Sequence, residues 1–235
     1  EITFYEDILQ LRSQLDHGGV GPLLSFMLDY LGVLQCEVGD GSKIIGVKDL
    51  LVLRNMFDGC KSLRMLDIKI GQKTASAGWQ GKSTVGAVAQ GVLDRKTNST
   101  SEGFRLEGFQ GTTPALESMR ECKSLKKQQV RSMYQRMPAT LMFMHLLDVH
   151  QEPEDPGDEA LASIMSPLEV AELALHEIAS KLAALAISCH ASPVPHKWVG
   201  SSVALGFDCG TLPSRSSPER ELRHAVRVNL FDWGR

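Results

Sequence analysis

Two charged side chains on a short predicted strand are the residues of this chain best suited to chemistry. Side chains alternate between the faces of a β-strand, so Asp67 and Lys69 project from one face, and Leu66, Ile68 and Ile70 from the other. A rise of roughly 3.3 Å per residue separates the carboxylate and the ammonium by about 6–7 Å. A carboxylate that accepts a proton and a lysine that holds a phosphate suit phosphoryl transfer. The spacing alone leaves open an exposed strand face with one weak surface ion pair.

Four segments of the chain resemble motifs of the inositol polyphosphate kinase family, in the family's order. Residues 67–71, Asp-Ile-Lys-Ile-Gly, resemble its Asp-x-Lys-x-Gly signature. Residues 103–109 resemble its Gly-Phe-Arg-x-x-Gly-Met strand. Residues 200–208 are similar to its Ser-Ser-Leu-Leu-Phe strand, and residues 226–233 to its Val-Arg-Met-Ile-Asp-Phe segment. The resemblance therefore extends over nearly the whole chain.

The resemblance implies an α+β fold with two lobes, in which helices pack on antiparallel sheets. Residues 1–58 are expected to be the remnant of an incomplete N-terminal nucleotide lobe, with the linker between the lobes. Residues 59–235 are expected to form the C-terminal catalytic lobe. Within it, the family places an inositol-phosphate-binding insertion, which corresponds to about 72–102 and 123–150.

The composition describes a folded chain without a general attraction for polyanions. The net charge is -3, so neither nucleic acid nor a membrane surface is an expected partner, and an anionic substrate needs a local basic site. Five scattered cysteines without a Cys-x-x-Cys motif predict neither a disulfide framework nor a zinc site. No apolar run reaches the roughly 18 residues that span a bilayer, and no secretory signal opens the chain. We therefore expect no membrane insertion and a cytoplasmic or nuclear location.

Periodicity and turn residues predict the other elements. Ser166 and Glu169 have capping-box spacing around a proline, which predicts the start of a long helix. The stripe expected to face the core of this helix consists of Leu168, Ala171, Leu175, Ile178, Leu182 and Leu185. The remaining predictions, in chain order, are a helix at 1–16, a strand beginning at 31–33, a hairpin connector at 39–42, a strand at 49–56, a polar loop at 94–102, a helix at 124–137, a strand at 198–208, a loop at 209–219 and a strand from 225.

The resemblance assigns catalytic and metal-binding roles to individual residues. Asp67 would orient or deprotonate the attacking hydroxyl, and Lys69 would contact the transferred phosphate or the substrate. Asp232 would bind Mg²⁺, with Ser202 or its backbone nearby, since phosphoryl-transfer enzymes hold magnesium with carboxylates. Without the resemblance, Asp232 could equally be an acid that starts a turn before Trp233.

The resemblance also places the nucleotide, ATP. Glu1 would be the glutamate that faces a nucleotide-binding lysine, and a solvated terminal acid is the alternative. Arg54 and Met56 fall where the family's interlobe linker meets the adenine, so both are candidates for adenine contacts.

Basic residues after the glycine turn and in the predicted helix at 124–137 are candidates for binding substrate phosphates. By resemblance, Lys73, Lys82 and Lys123 would join Lys69 in this role, and ordinary solvated lysines are the alternative for each. Four further residues give the helix a basic face, which is either solvated or turned towards phosphate: Lys126, Lys127, Arg131 and Arg136.

The resemblance therefore implies a kinase that uses ATP and Mg²⁺ to phosphorylate an inositol polyphosphate. The alternative is a catalytically inactive module on the same fold that binds inositol phosphates or a protein partner. A third possibility is a kinase that phosphorylates another small alcohol or a lipid headgroup.

Overall fold

The computed structural model describes residues 2–14, 21–39, 44–76, 83–111, 116, 118, 127–148, 165–192, 198–210, 213 and 216–231. The strands in this part of the chain are β1 (Tyr30–Gly39), β2 (Ile44–Leu53), β3 (Leu63–Ile70), β4 (Phe104–Gln110), β5 (Ser202–Asp208) and β6 (Val226–Phe231). The helices are α1 (Ile2–Gln14), α2 (Gly21–Leu24), α3 (Thr84–Lys96), α4 (Asn98–Glu102), α5 (Lys127–Tyr134), α6 (Ala139–Leu147), α7 (Pro167–Ala191) and α8 (Pro218–Ala225). Helices combined with antiparallel sheets confirm the predicted α+β class.

Strands β1 and β2 form a two-stranded antiparallel hairpin, as the turn residues between them predict. The second strand begins at Ile44 and ends at Leu53, so the strand predicted at 49–56 was placed too late in the chain. Most of β1 is exposed, whereas Tyr30 at its start stacks on Tyr5 of α1 with ring centroids 5.6 Å apart. The hairpin is therefore attached to the core through its base.

The other four strands form one antiparallel sheet in the order β4-β3-β5-β6. In β3, Leu66 and Ile68 are buried in the hydrophobic core, which confirms the alternation predicted for this strand. The same core cluster contains residues of α1, α6, α7 and α8, so these helices and one face of the sheet share one core. The opposite face of the sheet carries the polar side chains.

Helix α7 begins at its predicted capping box, and the stripe that it buries overlaps the predicted one only in part. Ser166 accepts a hydrogen bond from the N–H of Glu169, whose carboxylate accepts one from the N–H of Ser166. Leu168 is 78% exposed and Leu175 is 42% exposed, so both were wrongly assigned to the core. The buried residues are Val170, Ala174, Ile178, Leu185 and Ser188. Ile178 and Leu185 belong to the predicted stripe as well, and Ala171 and Leu182 of that stripe pack against the core, so the prediction fails at Leu168 and Leu175 alone.

Three helices overlap segments that were predicted to be loops. Helices α3 and α4 occupy residues 84–96 and 98–102, where a polar loop at 94–102 was predicted. Glycines and β-branched residues give α3 a low intrinsic helix propensity, so tertiary contacts decide its conformation. Helix α8 lies at the end of the loop predicted at 209–219 and leads directly into β6.

The described part of the chain contains no helix that is long and apolar enough to cross a bilayer. The cysteines in it, Cys36, Cys60, Cys189 and Cys209, are free thiols. Burial raises the pKa of Cys189 to about 11, so that thiol is protonated at neutral pH.

A glycine before β5 lets the chain pass close to the loop after β3. Gly200 has a φ of 79°, and a Cβ atom there would lie 2.7 Å from the carbonyl oxygen of Thr74. Gly103 also has a φ of 79°, but a Cβ atom there would meet nothing within 4 Å. The two glycines share a backbone conformation and differ in the space around them.

We therefore expect Gly200→Ala to lower the free energy of unfolding by more than Gly103→Ala. Both variants carry the left-handed backbone strain of about 1–2 kcal/mol, and only Gly200→Ala adds a steric clash. Urea denaturation of both variants measures the difference. Equal losses would contradict the close approach of residues 74 and 200.

Candidate active site

Asp67 and Lys69 lie on the polar face of the four-stranded sheet, near its centre. Asp67 is paired with Gly108 of β4 and Ala204 of β5, and Lys69 is paired with Ser202 of β5. Directly opposed residues of antiparallel strands project from the same face. Both side chains therefore project from β3, which is hydrogen-bonded to β4 on one side and to β5 on the other.

A one-residue β-bulge in β4 determines which side chains share this face. The register shifts between Asp67 and Ile68, so that Glu107 is the extra residue in β4. As a result, Arg105 lies opposite Lys69. With an unshifted register, Glu107 would lie opposite Ile68 on the apolar face, and strand alternation would turn Arg105 to the same face. Bulges are common beside active sites because they redirect side chains in this way.

The ammonium of Lys69 is held over this floor by a buried hydroxyl. Its Nζ lies 3.1 Å from the Oγ of Ser202, which is almost fully buried. Phe231, the last described residue of β6, is paired with Ser202. The end of β6 and Lys69 therefore lie at the same end of the polar face.

These side chains line a polar cavity of about 320 Å³. Strands β3 and β4 form its floor, α3 and α5 supply its walls, and the loop after β3 completes it. Its volume falls at the lower end of the range for small-molecule sites. The lining residues are Asp67, Lys69, Thr74, Gln90, Leu93, Arg105, Glu107 and Arg131.

Among the lining residues, Arg105 lies between two buried carboxylates. Its side chain is 2% exposed, and Nη1 donates to Asp94 Oδ1 at 2.7 Å and to Ser99 Oγ at 2.8 Å. Its Nε and Nη2 lie 2.7 and 2.6 Å from Glu107 Oε1. A buried charge is tolerated when its partners satisfy it, as they do here.

Glu107 links this buried arginine to a more exposed one. Its Oε2 accepts hydrogen bonds from Arg131 Nη2 at 2.5 Å and from Gln135 Nε2 at 2.9 Å. Burial acts to raise the pKa of Glu107, but the hydrogen bonds and charges of Arg131 and Arg105 outweigh it, and the pKa is lowered. The bond to Glu107 raises the pKa of Arg131, and the charge of Asp67 acts in the same direction.

Asp94 fastens α3 to the loop that follows β3. Its carboxylate accepts hydrogen bonds from the N–H of Thr74 at 2.9 Å and from the Thr74 hydroxyl at 2.6 Å. Gln90, one helical turn earlier, donates to the Thr74 hydroxyl at 3.0 Å. The wall of the cavity is therefore attached to its floor by polar contacts that also engage Arg105.

The predicted adenine contacts lie in the segment after β2 and do not line the cavity. The N–H of Arg54 donates to the carbonyl of Asp29, and its side chain forms an exposed ion pair with the same residue at 3.3 Å. The carbonyl of Met56 accepts from Arg227 Nη1 at 2.6 Å, and that of Asp58 accepts from Nη2 at 3.2 Å. Arg227 of β6 therefore fixes the course of this segment.

Of the other predicted site residues, one is described and four are not. Lys73 is exposed in the loop after β3 and does not line the cavity. Glu1, Lys82, Lys123 and Asp232 lie outside the described residues, so their predicted roles stay predictions. Among the residues that are described, no cluster of three or more His, Cys, Asp or Glu side chains could hold a metal ion.

Sequence reasoning missed most of the cavity wall. Arg105 and Glu107 are opposite charges two residues apart in a predicted strand, a spacing that indicates a shared face and a pair. Arg131 belongs to a predicted basic helix face, and the sequence pattern leaves open whether that face is solvated or turned towards phosphate. Gln90 and Asp94 fall in a segment without helical periodicity, so no pattern identifies them.

A family model described as inositol polyphosphate kinase matches residues 50–235. Among solved structures, the chain is similar to inositol phosphate multikinase Ipk2 from S. cerevisiae in complex with ADP and Mn²⁺, with a TM-score of 0.50 and 18% identity over 90% of this chain and 79% of that one. It also aligns with a structure from studies of inositol phosphate multikinase, with a TM-score of 0.40 and 14% identity over 85% and 75% of the two chains. No curated protein matches. The similarity to Ipk2 confirms the predicted fold.

Replacing Arg105 with methionine would leave the Asp94 and Glu107 carboxylates without their shared buried cation. We expect the free energy of unfolding to fall by about 3–5 kcal/mol, the range for a broken buried ion pair. Chemical denaturation measures this loss. Arg95→Met, which removes an exposed arginine of the same helix that carries Asp94, is the control and should change stability by about 0.5 kcal/mol or less. Similar losses in the two variants would contradict the role of Arg105.

The lowered pKa of Glu107 predicts a pH dependence of stability. A carboxyl whose pKa is lower in the folded state stabilises the fold above its unfolded pKa of about 4.3, and this contribution is lost as the pH falls through the folded pKa. Glu107→Gln should therefore be less stable than the wild type at about pH 7, with a difference that shrinks towards about pH 3. Denaturation at both pH values tests this, with Glu172→Gln, an exposed residue of α7, as the control. A pH-independent difference would contradict the ionised Glu107.

Proposed function

Because the chain belongs to the inositol polyphosphate kinase family, we propose that it transfers the γ-phosphoryl group of ATP to a hydroxyl of an inositol polyphosphate. One observation carries the proposal. Asp67 and Lys69 line one polar cavity, and Arg131 lines the same cavity from α5. A cavity with a proton acceptor and two cations that reach it suits a phosphorylated alcohol.

In this proposal, Asp67 orients the attacking hydroxyl and accepts its proton. The residue lies on a strand with a partner strand on each side, so its backbone position is fixed by two ladders of hydrogen bonds. A general base works when it is held within hydrogen-bond reach of the proton it accepts. The sheet provides that rigidity, and the cavity provides room for the sugar-like ring.

Lys69 has the electrostatic role. The Oγ of Ser202 holds its ammonium, which therefore needs little reorganisation when negative charge develops on the transferred phosphoryl group. In an antiparallel ladder, paired strands keep Asp67 and Lys69 at a fixed separation along β3. Proton acceptor and cation are in this way presented to the same ligand.

The nucleotide and the metal are part of the proposal. The similarity to Ipk2, whose structure contains ADP and Mn²⁺, supports a nucleotide with a divalent cation. We assign Mg²⁺ binding to Asp232, which follows Phe231 at the end of the sheet where Lys69 and Ser202 lie. The hydroxyl of Ser202 already faces the Lys69 ammonium, and a second cation beside it would be repelled, so Ser202 is the weaker candidate ligand. When bound, the metal would neutralise phosphate charge.

Asp67→Asn tests the proposal. It removes the proton acceptor while keeping the size of the side chain, so we expect turnover to fall by at least about 100-fold, the lower bound for loss of a general base. The measurement is ATP consumption with Mg²⁺ across a panel of inositol phosphates. Asp7→Asn on the exposed side of α1 is the control for charge and should keep full activity.

The outcome also separates the competing functions. Turnover of an inositol phosphate in the wild type and its loss in Asp67→Asn would support the kinase. No turnover, with inositol phosphates still raising the melting temperature, would overturn it in favour of a binding module. If another small alcohol or a lipid headgroup, tested in the same assay, is phosphorylated and no inositol phosphate is, the chain is a kinase with a different substrate.

A further inference from the structure

We propose that Arg131, oriented by Glu107, binds a phosphate group already present on the inositol substrate and so makes that phosphate a requirement for tight binding. The inference rests on the proposed function, because it takes the cavity as the substrate site. It assigns a specificity role to a residue on α5, separate from the reacting pair on β3.

The geometry of Arg131 is that of an oriented cation. One of its terminal nitrogens donates to Glu107 Oε2 at 2.5 Å, yet the side chain is 55% exposed and lines the cavity. A guanidinium has five N–H donors in a planar fork, so a single contact leaves others for a ligand. Arginine is favoured for binding phosphate because that fork engages two oxygens at once.

The charges behind Arg131 are arranged so that a ligand meets the cation. Asp94, Arg105, Glu107 and Arg131 sum to zero, but the two carboxylates are only 4% and 11% exposed. The buried end of the network is therefore anionic and the accessible end cationic. An anion that enters the cavity approaches the guanidinium, while Arg105 is committed to its buried partners.

The position of Arg131 indicates which phosphate it binds. Lys69 extends from β3 beside Asp67, where the phosphoryl group is transferred, whereas Arg131 extends from α5. Arg131 nevertheless lies close enough to Asp67 for the aspartate charge to act on it. A substrate whose hydroxyl is at Asp67 can thus place a neighbouring phosphate on Arg131.

The test compares Arg131→Gln and Arg131→Lys with Arg136→Gln, which changes an exposed arginine just after α5 that does not line the cavity. Isothermal titration calorimetry with inositol bisphosphate, trisphosphate and tetrakisphosphate, without ATP, measures binding. Steady-state kinetics measures KM for the inositol phosphate and for ATP.

We expect Arg131→Gln to weaken binding of the best inositol phosphate on the order of tenfold, because a charge-assisted hydrogen bond at a half-exposed site is lost. KM for the inositol phosphate should rise similarly, with kcat and KM for ATP within about twofold, as expected for uniform binding. The affinity of Arg131→Lys for the inositol phosphate should lie between those of Arg131→Gln and the wild type, since lysine keeps the charge and lacks the planar set of donors. Glu107→Gln should reproduce part of the loss.

A purely structural role would lower the melting temperature of Arg131→Gln and leave its inositol phosphate affinity at the wild-type value, which would overturn the proposal. A rise in KM for ATP alone would also overturn it. The proposed function can fail separately. If the wild type shows no turnover but its inositol phosphate binding still depends on Arg131, the kinase assignment falls and this inference stands. If turnover depends on Asp67, and neither turnover nor binding depends on Arg131, the kinase assignment stands and this inference falls.

Discussion

The buried guanidinium of Arg105 is the interaction on which the site depends. An arginine that is 2% exposed is stable only where hydrogen-bond acceptors surround it, and Asp94, Glu107 and Ser99 supply them. These acceptors come from α3, the bulge of β4 and α4. Satisfying one cation therefore fixes three segments relative to one another. The hydrogen bonds of Arg105 therefore position the wall of the cavity. Hydrophobic contacts are not directional, so they could not fix that position alone.

The two faces of the four-stranded sheet have different roles, since one packs in the hydrophobic core and the other carries the candidate active site. One face joins α1, α6, α7 and α8 in the hydrophobic core. The other carries the carboxylates and cations, where α3 and α5 form polar contacts with β4, although Tyr134 of α5 also packs on Phe109. The bulge at Glu107 connects the two faces, because it keeps Leu106 in the core while Arg105 turns to the cavity. With an unshifted register, Glu107 and Arg105 would both turn to the apolar face, and Leu106 would leave the core.

The parts of the structure that follow local rules could be predicted from the sequence. Alternation places Asp67 and Lys69 together, and the capping box at Ser166 starts α7 at the right residue. The remainder depends on tertiary contacts. Helix α3 has glycines and β-branched residues, and it is helical in a structure where its Asp94 contacts Thr74 and Arg105. The role of Arg131 was ambiguous because a basic helix face has the same pattern whether it meets water or a cavity.

The exposures along the charged network suggest how the site is prepared for a ligand. Side-chain exposure is 4% at Asp94, 2% at Arg105, 11% at Glu107 and 55% at Arg131, so fixed charges lead outwards to one accessible cation. A flexible arginine on a surface would lose rotamer entropy when it binds a phosphate. Here Glu107 already restricts the Arg131 guanidinium in the folded protein. The loss of rotamer entropy therefore occurs on folding and not on binding. Preorganised charge of this kind stabilises a ligand without reorganisation at the moment of binding. The buried arginine therefore contributes to recognition through Glu107, which it holds in place, even though its own donors are engaged by Asp94, Glu107 and Ser99.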